Sequence, residues 1–186
     1  MVVIHTDDID SDLRWLLGAV ARGLSHSGGD AVVPALRSMA SYDLAGAALV
    51  PPPPHPIAVT SQLAPAIAEA VLHQPDVAAA LAALSDHLHW QEMADGVGLA
   101  QLVGPQGFIA GQAHQLDILL LTPAARHSLP AVANALWWPL TGPSRWLNGS
   151  DVTVKPGGVM AATGDAVPTI IAGRMPLLGL WLGTGQ

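Results

Sequence analysis

Apolar and polar positions along the second half of the chain fall into short runs separated by residues that turn the backbone. Segments 116–121, 136–141, 145–147, 152–154, 159–162, 168–172 and 177–182 read as β-strands. The separators Thr122-Pro123, Gly142-Pro143-Ser144, Asn148-Gly149, Lys155-Pro156-Gly157-Gly158 and Thr163-Gly164-Asp165 supply turn formers. Short strands at this even spacing predict a small antiparallel barrel or sandwich.

The first half carries the longer helical period. Asp10, Ser11 and Asp12 offer N-cap oxygens, after which Leu13, Leu16, Leu17, Val20 and Leu24 share one helical face. Gly28-Gly29 ends that helix, and Asp30 caps a second with Val33, Leu36 and Met39, Pro34 being tolerable in its first turn. Leu63, Ile67, Ala70 and Val71 make a third. Asp76 starts a fourth, in which Val77, Leu81, Leu84 and Leu88 keep helical spacing up to Trp90. The run from Pro51 to Pro56, interrupted by His55, reads as a stiff polyproline-like connector. The fold class is therefore α+β, with a helical region over 1–92 packed on an antiparallel β-barrel over 93–186.

Composition narrows the possible roles. Only 11% of the 186 residues are charged and the mean hydropathy is +0.41, so much apolar surface must be hidden, in a core and in a homodimer or other homo-oligomer. Net charge −7 argues against nucleic acid and anionic membranes as partners. Pro130, Asn134, Pro139 and Gly142 break the uncharged run from His127 to Ser144, which excludes it as a spanning helix. Cysteine is absent, so no thiolate ligand or nucleophile exists. The start of the sequence is acidic and lacks the pattern of a signal peptide, which sets a cytoplasmic expectation.

Few residues offer chemistry. His114, Asp117 and His127 lie near the first hairpin of the barrel and could form a site of two imidazoles and one carboxylate. Strand alternation counts against it, because His114 and Asp117 are separated by an odd number of positions. His87 and His89 lie about 200° apart around a helix and cannot face one metal. Trp90, Trp137, Trp138, Trp146 and Trp181 could line an apolar or cation-accepting pocket, although core packing explains most of them. Asn148-Gly149-Ser150 reads as a tight turn rather than a glycosylation site, and no glycine pair is followed by the helix start a phosphate loop needs.

The order Leu-Val-Gly-Pro-Gln-Gly at 102–107, Asp-Ile-Leu-Leu-Leu-Thr-Pro at 117–123, Leu140 to Gly142, Trp146, Pro156-Gly157 and Pro-Leu-Leu-Gly-Leu-Trp-Leu at 176–182 resembles the cupin domain of the dimethylsulfoniopropionate (DMSP) lyase family. The resemblance implies a cupin-type barrel and a metal-dependent β-elimination, in which a base removes a proton from DMSP and dimethyl sulfide and acrylate are released. It implies a metal held by His-x-His, then Glu after three more residues and Gly after six, with one further His in a second motif. Counting back from Gly142, the Glu position is Ala135, the two His positions are Ala131 and Leu129, and Trp137 stands where the family has a Tyr. With Gly164 and Pro168 keeping the second frame, the last His position falls on Thr169.

Alanine and leucine have no lone pair to give a divalent cation. The scaffold is kept, then, and its chemistry erased. Leu129, Ala131, Ala135, Trp137 and Thr169 become candidate lining residues, no cofactor is called for, and Trp137 is placed inside the barrel. The expectation is a binding, regulatory or structural subunit accepting at most a small-molecule ligand. The alternative is a carbon–sulfur lyase or other cupin enzyme built on His114, Asp117 and His127.

Overall fold

The computed structural model describes residues 6–27, 29–40, 53–109, 114–130, 135–162 and 167–184. Helices α1 (Thr6–Ser27), α2 (Val33–Ala40), α3 (Leu63–Ala70) and α4 (Pro75–Leu84) precede strands β1 (Trp90–Ala94), β2 (Val97–Val103), β3 (His114–Leu121), β4 (Arg126–Ser128), β5 (Ala135–Pro139), β6 (Ser144–Leu147), β7 (Asp151–Val154), β8 (Met160–Ala162), β9 (Thr169–Ala172) and β10 (Leu177–Thr184). A large antiparallel sheet runs β1-β2-β3-β10-β5-β8, and a small one runs β4-β9-β6-β7. Helices first and antiparallel strands after is the α+β order that the periodicities predict.

The large sheet is apolar on both faces because each face is covered. Leu116, Ile118, Leu120, Trp138, Leu178 and Leu180 join the helices in one core, and Leu119, Leu121, Trp137, Leu177 and Trp181 join the small sheet in another. Side chains alternate across a strand, so the two sets are the even and odd positions of β3 and the opposite sides of β5 and β10. The helical layer presents the face read from the sequence: Leu13, Leu16, Leu17, Val20 and Leu24 are buried, while Arg14 pairs with Asp10 one turn earlier at 2.8 Å in solvent. α1 packs along α4, and α2 and α3 rest on β10. The Glu69 carboxylate of α3 accepts the Gly142 N–H at 3.1 Å, tying that helix to the turn between β5 and β6.

Three strands lie where no strand was expected, β1, β2 and β4, and one helix ends early. α4 stops at Leu84, Ser85–His87 form a 3-10 turn, and Trp90 starts β1 opposite Ala100. Leu88 is buried as its spacing suggested, but in extended backbone that brings it back under the helices. The chain near His55 is pinned beside it. His55 N donates to Leu88 O at 3.3 Å and Trp90 N donates to His55 O at 3.0 Å, so this part of the connector is strapped to the start of the sheet. His89 Nδ1 also donates to the Pro53 carbonyl at 2.7 Å.

Gly23 sets how closely α1 approaches the sheet: a Cβ there would stand 2.4 Å from the Trp138 ring, itself fully buried. Gly23→Val should therefore cost roughly 1–3 kcal/mol through overpacking, read as a lowered urea midpoint with an unchanged slope. Val at the neighbouring helical glycine, Gly18, where a Cβ would meet only the Arg22 side chain at 3.4 Å, should cost nothing measurable, since valine is the better helix former of the two.

Candidate functional site

The space between the two sheets is where a barrel of this kind would hold a ligand, and its inner walls can be read off the strand register. One row across the large sheet is Gln101, Asp117, Trp181, Trp137 and Met160. Facing it on the small sheet is the row His127, Ile170 and Trp146. Trp137 is fully buried in the inter-sheet core, the side the motif frame assigns to it, while Trp138 faces the helices. The Trp137 indole donates from Nε1 to Ser144 Oγ of the small sheet at 3.1 Å, and the Trp146 and Trp181 rings lie 6.3 Å apart at 39°. Three indoles thus fill the middle of the space, with Leu129, Ala135, Val154 and Ala172 around them.

A small residue on one strand makes room for the bulk on the next. A Cβ at Gly179 would lie 2.2 Å from the Trp137 ring, so the indole is laid flat across the glycine of β10.

Asp117 is a fully buried carboxyl among these largely apolar walls. Its side chain has no solvent contact, and Oδ1 accepts from Gln101 Nε2 at 3.2 Å while Oδ2 accepts from Gln115 Nε2. Gln101 is held in turn by the Gln106 N–H, which donates to its Oε1 at 2.8 Å. Burial pushes the Asp117 carboxyl up to about 7, and the two amide donors hold it back only in part. Burial also lowers His127 below the usual imidazole range, which favours its neutral form. The Trp181 indole N–H, cross-strand from Asp117, is buried without a hydrogen-bond partner.

The remaining expected residues are placed as follows. Leu129 and Ala135 are buried in the inter-sheet core. Thr169 precedes the inward-facing Ile170 on β9, and its hydroxyl stands 3.1 Å from Ser128 Oγ on the outer face of the small sheet. Ala131 and Gly164 lie outside the described residues. His114 opens β3 three positions from Asp117, and among the described residues no three His, Asp or Glu side chains come together in a metal-binding group. His87 and His89 lie beyond the end of α4, not on one helix. Gln101 and Gln115 were not anticipated. Amides carry no charge signal in a sequence, and only the β2–β3 register brings Gln101 to Asp117.

No family model and no curated protein matches this sequence. Solved structures do. A chain from the structures of the DMSP lyases RdDddP and RnDddQII is 18% identical, with 94% of this chain and 93% of that one covered at a TM-score of 0.68. The DMSP lyase DddQ from Ruegeria pomeroyi DSS-3 is 14% identical, with 95% and 93% covered at 0.65. The chain shares the fold of these lyases. Nearly the whole chain shares it, helices included.

Two of the positions at which the cupin resemblance implies metal ligands lie on these walls. Leu129 and Ala135 offer hydrocarbon where imidazole and carboxylate would be needed, and the Trp137 ring fills the adjoining volume with its one polar atom already bonded to Ser144.

The raised Asp117 sets a pH dependence. Between about pH 4 and 7 the folded chain keeps a proton that an unfolded carboxyl, titrating near 3.8, has released, so this group's contribution to stability falls as pH rises through that window. Asp117→Asn removes the titration. The variant's unfolding free energy relative to the parent should increase from pH 4 to pH 8 by an amount on the order of a few kcal/mol, in paired urea titrations.

Proposed function

We propose that this protein is a cupin that has given up metal-dependent lyase chemistry and serves as a binding, regulatory or structural subunit. The observation that carries this reading is the occupation of the inter-sheet space by Trp137, Trp146 and Trp181, with Leu129 and Ala135 at positions where the family frame expects ligands. An elimination needs a Lewis acid or a base beside a bound substrate, and three indoles with Leu129 and Ala135 supply no ligand for a Lewis acid. Trp15 on α1 and Leu72 after α3 are exposed large apolar side chains, and they support assembly into a homo-oligomer.

One observation favours a second reading. Asp117 is a carboxyl whose proton affinity sits near neutrality, the property of a general acid or base, and it lies on the inner face beside an unsatisfied indole N–H. A lyase of relocated residues would work through it, with His127 on the opposite wall.

Metal analysis of the purified protein together with dimethyl sulfide release from DMSP separates the two. The expected result is less than stoichiometric Zn, Fe, Mn or Ni and no turnover above buffer. Turnover with a stoichiometric metal overturns the proposal, and metal-free turnover abolished by Asp117→Asn establishes the second reading. Trp137→Ala should cost about 3–5 kcal/mol, as expected for emptying an indole-sized site in a packed core, read by urea unfolding.

A further inference from the structure

A cavity of about 750 Å³ lies away from the barrel core, between α3, the C-terminal end of α4 and the strapped chain at Pro54–Pro56. We propose that it binds a small organic cation with an apolar body. Its volume lies in the range of sites that enclose a small molecule. Leu63, Ile67, Leu88 and Trp90 supply apolar and aromatic walls, and the small side chains of Ala64, Ala68 and Ala82 leave the space open.

Charge and hydrogen-bonding capacity decide which kind of molecule fits. The one charged lining residue is the exposed carboxylate of Asp86. Thr60 Oγ1 and Ser85 Oγ spend their protons on the carbonyls of Ile57 at 2.6 Å and Ala82 at 2.8 Å, which leaves their oxygens as acceptors. Pro54 and Pro56 have no N–H to give. Each polar side chain of the lining therefore accepts a hydrogen bond or attracts a positive charge.

The stretch of sequence that supplies the lining has the same sign. Between Arg37 and Arg126 the sequence contains acidic side chains and not one lysine or arginine, and the whole lining falls inside that interval. An anion would meet a carboxylate and no donor. A neutral molecule would gain the walls alone, and a cation gains the walls and the carboxylate.

Three probes of similar size test the idea on the full chain by isothermal titration calorimetry: phenethylammonium, 2-phenylethanol and 3-phenylpropanoate. The ammonium should bind most tightly, the alcohol roughly fivefold more weakly and the carboxylate weakest. Asp86→Asn should bring the ammonium to the affinity of the alcohol and leave the alcohol unchanged. Ala68→Phe, which fills the cavity, should abolish binding of both, with Ala82→Leu as the second plug should the first fail to fold. Equal affinity for the three probes, no binding of any of them, a preference that survives Asp86→Asn, or binding that survives a folded plug variant would each overturn the proposal. None of these outcomes depends on whether the inter-sheet space is catalytic.

Discussion

The structure depends on one constraint: a sheet covered on both faces has no polar side to spare. From Leu177 to Gly183, β10 is buried at every position, because it lies between β3 and β5 at the middle of the large sheet with helices above and the small sheet below. A strand in this situation cannot alternate apolar with polar, and its pattern of Leu, Gly and Trp differs only in size from one face to the other. Helices and small sheet are each bound to the same six strands, so loss of either exposes hydrocarbon on the scale of a domain core. The low charge content of the chain follows from the same arrangement.

Within that constraint, filling the cupin is a matter of volume. Three indoles lie buried between the two sheets, and Trp137 is tied across the gap by its hydrogen bond to Ser144. Asp117 survives at the end of this core because two glutamine amides satisfy its oxygens, at the expense of a carboxyl that ionises reluctantly.

Much of this was legible in the sequence. β3 and β5 to β10 lie close to the expected segments, since turn residues punctuate them. β2 was not legible because Val97-Gly-Leu-Ala-Gln-Leu-Val is a nearly continuous apolar run with a glycine in it, and Gly98 is small because Val59 and Trp90 press against that point of the backbone. β4, Arg126-His-Ser, has no apolar pattern and is a strand only because β9 pairs with it. Leu88 continued a helical spacing by coincidence of burial. At the site, the apolar character of Leu129, Ala135 and Trp137 could be read directly. The outward turn of Thr169 depends on which strand face meets the core, and the partners of Asp117 depend on cross-strand register, neither of which is a local property of sequence.

Gly179 and Trp137 carry a consequence for how such a protein can change. The glycine is vacant because the indole lies on it, and the indole fits because the glycine is vacant. Neither position can drift by itself: a larger residue at 179 has nowhere to go until the ring has been trimmed, and a trimmed ring leaves a hole that selection for stability would resist. Any exchange of this pair therefore runs through an intermediate less stable than either end.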